Sequence, residues 1–194
     1  MIFMRPKTTY ENKKLQSRRI KGKAIVVSNH QDLLDFAANM FTFPTRTMRC
    51  AAAEVLYQKN PLLTFFLRAL GASKIDRDAH DFTFISRCSE ILKKGGVVEI
   101  FPESRLPTPD DITPLEFKPS AVYLALETGT PIIPIYNNGK YFKKEPLRIH
   151  VGTPIDVAAL YDDSLSEKEN ITNITNIIRE KIIEFKENQE KETK

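Results

Sequence analysis

Long apolar runs are missing from this chain of 194 residues. Nothing in it approaches the roughly eighteen uninterrupted apolar residues that a membrane-spanning helix needs, which excludes a spanning segment. Met1-Ile2-Phe3-Met4 are too few to make a signal peptide. Cysteine is scarce as well. Cys50 and Cys88 stand among apolar neighbours without metal-ligand spacing, so they are read as reduced core residues of a cytoplasmic protein, and no metal site is expected. A linker is also absent, and the length suits one buried domain. Two Asn-x-Thr triplets, at Asn170 and Asn173, are read as polar residues on a helix surface, since no secretion signal accompanies them.

Charge is present but unevenly placed. Residues 1–23 carry Arg5, Lys7, Lys13, Lys14, Arg18, Arg19, Lys21 and Lys23 against Glu11 alone, so +7 of charge lies there and −3 is left for the rest of a chain whose total is +4. This stretch reads as a basic arm, either a solvated lead-in or a contact for an anionic partner. No aromatic-interleaved RNA motif accompanies it, so an anionic membrane surface is expected and nucleic acid is not.

Periodicity then orders the chain. Ala24 to Ser28 form a short buried strand, and the polar residues 29–32 start a helix whose first turns hold Leu33, Leu34 and Asp35. A turn at Pro44 leads to a strand over 47–53. Asn60-Pro61 open a helix that ends at Gly71, apolar over most of its circumference and either deeply buried or partly immersed in lipid. A short strand follows within 71–77. Asp81 caps a helix with Phe84, Ile85, Cys88, Ile91 and Leu92 on one face, and the strand after it, 97–101, is broken by Pro102. Residues 106–118, rich in proline, read as a loop over the site. Pro119 opens a helix with Ala121, Val122, Leu124 and Ala125 inward. A strand over 131–136 turns at Asn138-Gly139 as a hairpin into a strand near 147–151. Ser166 to Glu169 make a capping box for a last helix that carries Ile171, Ile174, Ile178, Ile182 and Phe185 at helical spacing.

This alternation predicts an α/β fold: a single domain with a largely parallel central sheet flanked by helices and one antiparallel hairpin at its end. The divisions are a basic N-terminal arm, 1–23, an α/β domain, 24–160, and a C-terminal amphipathic helix, 161–194, packed on that domain.

His30 and Asp35 are the first candidates for chemistry. Five helical steps turn about 500°, so the two side chains do not face each other within one helix. They meet if His30 lies in the turn before the helix and Asp35 on its first exposed face; the alternative is an ordinary helix start with a solvated His. In the first geometry the carboxylate accepts the Nδ1 proton and the other ring nitrogen becomes a base. The position at a strand end, where α/β proteins hold ligands, favours it.

Four segments occur in order: Asn29-His30-x4-Asp35, Gly71-Ala72-Ser73-Lys74-Ile75-Asp76-Arg77, Phe101-Pro102-Glu103-Ser104-Arg105, and Pro131-Ile132-Ile133-Pro134-Ile135. Together they resemble the four motifs of the glycerolipid acyltransferases, over roughly residues 24–155. The resemblance implies transfer of a fatty acyl group from acyl-carrier protein or coenzyme A thioester to the hydroxyl of a lysophospholipid, 1-acylglycerol 3-phosphate first among them, as a step of phospholipid biosynthesis. His30 and Asp35 would be catalytic, with Lys74, Arg77, Glu103 and Arg105 binding substrate. No cofactor is implied beyond the thioester co-substrate. A peripheral location on the inner face of a bacterial cell membrane follows from the same resemblance, with Met1 to Met4 as the stub of an apolar anchor that such enzymes often carry. Guanidinium forks suit phosphate, and a His of ordinary pKa suits a neutral-pH base. Lys118, just before a helix, could serve phosphate or water. Two departures stand out: Ser104 where the family commonly has Gly, and Asp32 where it commonly has Ser. Asp32 could compete with Asp35 for the ring or cap the helix. Another acceptor, a thioesterase, or a lipid-binding module without turnover are the alternatives.

Overall fold

Every residue of the Ala24–Ser28 strand is buried, because helices cover both faces of the sheet around it. The structure is a computed structural model, and it describes residues 6–53, 72–75 and 82–192. In it, seven strands form one sheet: β1 (Lys7–Tyr10), β2 (Ala24–Ser28), β3 (Met48–Ala53), β4 (Ala72–Ile75), β5 (Val97–Ile100), β6 (Ile132–Asn137) and β7 (Arg148–Val151). Their spatial order is β1-β7-β6-β2-β5-β3-β4. All neighbours are parallel except β6 and β7. Among the described residues the helices are α1 (Asp35–Thr42), α2 (Phe82–Lys93), α3 (Ser120–Thr128) and α4 (Glu167–Lys191), with a 3-10 turn at Ala158–Leu160.

The period of two along each strand sorts its side chains between two cores. Ile25, Val27, Val98, Ile100 and Ile132 face α2, α3 and α4, where Cys88, Leu92, Leu124, Ile174, Ile178, Ile182 and Phe185 meet them. Val26, Val97, Ile133, Ile135, Ile149 and Val151 face α1, with Phe36, Ala38 and Phe43. Each such side chain contributes on the order of 1.5–3 kcal/mol by leaving water. Burial also pushes the Cys88 thiol up to about 12, which leaves it an inert core residue.

Four details differ from the sequence reading. Residues 7–10 of the basic segment are not an arm but the edge strand β1, whose extended chain completes the sheet against β7. Asn138-Gly139 is only the start of the connection: ten residues, 138–147, separate β6 from β7, and Asn138 closes that loop, its N–H donating to the Arg148 carbonyl and its Oδ1 accepting from Arg148 N. Asn170 is buried, not on the surface, because its amide binds the carbonyls of Asp162, Leu165 and Ser166 and fixes the entry to α4. Finally, α1 begins at Asp35, later than expected, for a reason that belongs to the site. The Ser166 capping box forms as the sequence indicates. The helix read between Asn60 and Gly71 lies outside the described residues, as does the side chain of Cys50.

The parallel strands give the sheet two unlike ends. His30 follows β2, Glu103 follows β5 and loop 138–147 follows β6, so all three lie at the carboxyl end of the central strands. Because β1 runs antiparallel to β2, residues 11–23 lie at the opposite end.

Candidate active site

The turn between β2 and α1 is organised by one carboxylate. Asp35 is fully buried at the first position of α1, and its Oδ2 accepts the backbone N–H groups of Gln31 at 2.6 Å and Asp32 at 2.8 Å. These would otherwise be orphan donors before a helix. With them satisfied by Asp35, residues 31–34 stay a turn and Leu33 and Leu34 remain outside the helix. Asp32 caps this turn, its Oδ1 accepting from Leu34 N at 2.9 Å, and does not bond the imidazole. That settles the alternatives left open for Asp32.

The same Oδ2 lies 3.1 Å from His30 Nδ1. A carboxylate only accepts, so Nδ1 carries the proton and Nε2 is the free basic nitrogen. No described residue hydrogen-bonds Nε2, and the His30 side chain keeps 16% of its surface open. Phe101 stacks on the ring at 4.3 Å between centroids and 23° between planes, which limits its rotation.

Two further groups hold this pair, and the sequence reading missed the second. Glu103 is buried; its Oε1 accepts from His30 N at 2.9 Å and its Oε2 from Leu115 N at 3.0 Å. Expected from sequence to bind substrate, it joins the histidine turn to loop 106–118 through these two bonds. Burial pushes its carboxyl above the usual range, against those two N–H donors. Tyr141 donates its hydroxyl to Asp35 Oδ1 at 2.6 Å and accepts from Asn137 Nδ2 at 2.7 Å. The Asn29 side chain makes both bonds to the Asn137 backbone, Nδ2 donating to its carbonyl and Oδ1 accepting from its N–H, at 2.8 Å each, which fastens the histidine turn to the end of β6. Gly139 closes the arrangement. Its φ is +65°, and a Cβ there would come within 2.7 Å of Gln31 Cβ, so only glycine lets the loop rest on the histidine turn. The signal for Tyr141 was a tyrosine two residues past an Asn-Gly pair, which the sequence reading did not single out.

Below the pair, Asn39 donates to Glu99 at 2.6 Å. Glu99 is completely buried; burial, with the nearby Asp35 charge, pushes its carboxyl well above the usual range.

The other candidates fare unequally. Arg105 projects from the same strand end, but its fork already holds Asp111, at 2.7 and 2.8 Å. That contact holds the Asp111 carboxyl well below the usual range. Ser104 adopts φ +60°, the left-handed backbone that a glycine would favour. Lys118 is exposed at the start of α3. The side chain of Lys74, on β4, and all of Arg77 lie outside the described residues. Among the described residues there is no cluster of His, Cys, Asp and Glu fit for a metal ion, and no helix long and apolar enough to cross a membrane.

Comparison with known proteins identifies the family. The profile of the Acyltransferase family matches residues 7–138. The chain is similar to the 1-acyl-sn-glycerol-3-phosphate acyltransferase of Borreliella burgdorferi, 28% identical over 174 residues, 84% of this chain and 66% of that protein. The human 1-acyl-sn-glycerol-3-phosphate acyltransferase beta is 29% identical over 127 residues, 61% of this chain and 45% of that protein. The mouse alpha enzyme is 30% identical over 157 residues, 71% and 54% respectively. The chain thus spans less than two thirds of the length of these curated relatives. The crystal structure of the 1-acyl-sn-glycerophosphate (LPA) acyltransferase PlsC from Thermotoga maritima has the same fold, with TM-score 0.65 at 22% identity over 93% of this chain and 73% of that one. Since the matched stretch runs from β1 to the end of β6 and takes in His30, Asp35, Glu103 and Arg105 at one sheet end, the chain belongs to the acyltransferase family.

Proposed function

We propose that this protein moves a fatty acyl group from an acyl-carrier-protein or coenzyme A thioester to the free hydroxyl of 1-acylglycerol 3-phosphate, giving phosphatidic acid, while peripheral to the inner face of the cell membrane. The observation that carries the reading is the contact of His30 Nδ1 with the buried Asp35 carboxylate, with Nε2 left free. His30 Nε2 takes the hydroxyl proton as the oxygen attacks the thioester carbonyl. The tetrahedral intermediate then expels the thiolate, which receives that proton from the imidazolium. Asp35 remains ionised throughout and stabilises the imidazolium that forms between the two steps. Glu103 and Phe101 position the base without exchanging protons. The phosphate falls to Arg105, with Lys74 and Arg77, and it enters the Arg105 fork in place of Asp111.

Incubating the protein with an acyl thioester and a panel of lysolipids tests this directly: a diacyl product from the phosphate-bearing acceptor is expected, and free fatty acid alone would make the protein a hydrolase. His30→Ala should keep its fold and lower turnover by roughly a hundred- to ten-thousand-fold. Asp35→Asn should also be severe, because an amide brings an N–H2 toward donors that need an acceptor. Asp32→Asn, which touches only Leu34 N, should be mild. A folded His30→Ala with wild-type transfer would sink the mechanism, and Asp32→Asn exceeding Asp35→Asn would reassign the orienting carboxylate.

A further inference from the structure

Three loops meet at the carboxyl end of the central strands, and each lifts one large apolar side chain into solvent. Leu33, in the histidine turn, is 54% exposed; Ile112, in loop 106–118, is 87% exposed; Phe142, in loop 138–147, is 72% exposed. Single exposed apolar residues need no explanation, but three from separate loops around one site do. The loops are tied to one another through the site itself. Glu103 joins the His30 turn to Leu115, Tyr141 joins loop 138–147 to Asp35, and Gly139 rests on Gln31. The three loops that carry these tips are therefore joined to the His30–Asp35 pair.

Phe142 has two features beyond exposure. Its φ is +53°, a conformation costly for a bulky residue, and the buried Tyr141 just before it pins the loop, so the ring is held outward rather than tucked against the protein. Its neighbours are cationic: Lys140, Lys143 and Lys144 are all exposed, and only Lys140 has a carboxylate nearby, Glu145 at 3.4 Å. Among the described residues, Lys143 and Lys144 have no acidic partner. An aromatic tip flanked by unpaired lysines suits the boundary between anionic headgroups and acyl chains, where the ring enters the apolar layer and the ammonium groups meet phosphates.

We propose that loop 138–147, with Leu33 and Ile112 beside it, seats the catalytic end of the protein on an anionic phospholipid surface. This rests on the acyl-transfer reading, since a lipid acceptor and product must pass between that surface and His30. It also reassigns the membrane contact expected of the basic segment. Lys13, Lys14, Arg18, Arg19 and Lys21 lie at the other end of the sheet, about a strand length away, roughly 17 Å for five residues. Leu15, 66% exposed, is the apolar tip of that segment, and Phe41, 46% exposed at the end of α1, lies on the same side near Arg46, so that end offers two apolar side chains against three at the catalytic end. A surface bound by that end would face away from His30.

Flotation of the full chain with vesicles decides between the two ends. Vesicles of phosphatidylcholine alone and of phosphatidylcholine mixed with phosphatidylglycerol would be compared. Wild type should bind the mixed vesicles better, and less so as salt is raised. Phe142→Asn suits the left-handed backbone and should fold at least as well, yet bind about tenfold more weakly to either vesicle. Lys143→Gln with Lys144→Gln should weaken binding to the mixed vesicles alone, by about fivefold per lysine. A far-end variant, Lys13→Gln with Lys14→Gln and Leu15→Asn, should bind as wild type does. Loss of binding in the far-end variant with retention in Phe142→Asn would overturn the proposal, as would wild type that ignores vesicles. Acyl transfer to a short-chain lysolipid in free solution, without vesicles, separates the two readings. Phe142→Asn should keep it unchanged, and loss there would also count against docking, whereas its absence from wild type would sink the acyl-transfer reading itself.

Discussion

Asp35 has four hydrogen-bond donors on two oxygens, and the donor on Oδ1 is the one whose removal is most informative. Tyr141 is buried, and burial together with the Asp35 charge pushes its hydroxyl far above the usual phenol range, so it stays protonated and donates at any working pH. On Oδ2 sit His30 and two backbone N–H groups; on Oδ1 sits the phenol. Removing the phenol oxygen leaves one face of a buried carboxylate unsatisfied and frees it to rotate away from the ring. A hydrogen bond to a charged group is worth about 1.5–3 kcal/mol, so Tyr141→Phe should lower kcat by about ten- to a hundredfold with little change in KM. A purely structural role would add to other losses. In the Asp35→Asn background a positioning role should cost almost nothing more, and a full additive loss of kcat in the double variant would show that Tyr141 does not act through Asp35.

At the scale of elements, the loop 106–118 is held from two sides. Glu103 accepts from Leu115 N, and α4 reaches it from below: Arg179 donates to the carbonyls of Pro114 and Leu115, and Lys186 to that of Thr113. The sequence made this a loop over the site because of its prolines, but it held no sign that the last helix grips it. Such contacts join residues more than sixty positions apart, and local periodicity carries no information about them. Conversely, the short-range chemistry was legible. The His-x4-Asp spacing required a turn before the helix, and the turn is there, although Asp35, expected on an exposed face, is buried because its carboxylate turns inward to the histidine turn and Tyr141; the apolar positions of α4 are the buried ones. Arg105 was legible as a residue type but not as a paired one, since Asp111 six positions on reads as an ordinary loop acid. That pairing supplies the element-scale prediction. Asp111 holds the fork that phosphate would use, and its own charge competes with the acceptor's. Asp111→Asn keeps the side-chain oxygen that caps Thr108 but removes the charge. It should lower KM for the phosphate-bearing acceptor severalfold and leave KM for a lysolipid without a free phosphate monoester unchanged. Equal shifts for both acceptors would remove Arg105 from phosphate recognition.

For the molecule as a whole, the question is whether α4 is an appendage or part of the unit that carries the site. Its 25 residues begin at a capping box and bury Ile171, Ile174, Ile178, Ile182 and Phe185 in the same core as Ile25, Val27, Val98 and Ile132 of the central strands. A helix of that composition has little stability alone, because most helical stability in proteins comes from the packed apolar face. The sheet in turn would expose part of one face without it, the part that α2 and α3 leave open. Ile182 has no accessible surface, and Ile182→Ala should cost about 2–5 kcal/mol through lost transfer energy and the cavity left behind. If α4 and the sheet are one cooperative unit, that loss must appear in every probe at once. Helical circular dichroism and the near-ultraviolet signal of the tyrosines, with Tyr136 packed in the same core, should shift to the same lower midpoint. Acyl transfer, measured below that midpoint, should stay near wild type, because Arg179 and Lys186 still grip the loop beside Glu103 until the whole unit opens. A helical transition that precedes the tyrosine transition would make α4 a separate layer and leave the site supported by the sheet and α1 alone.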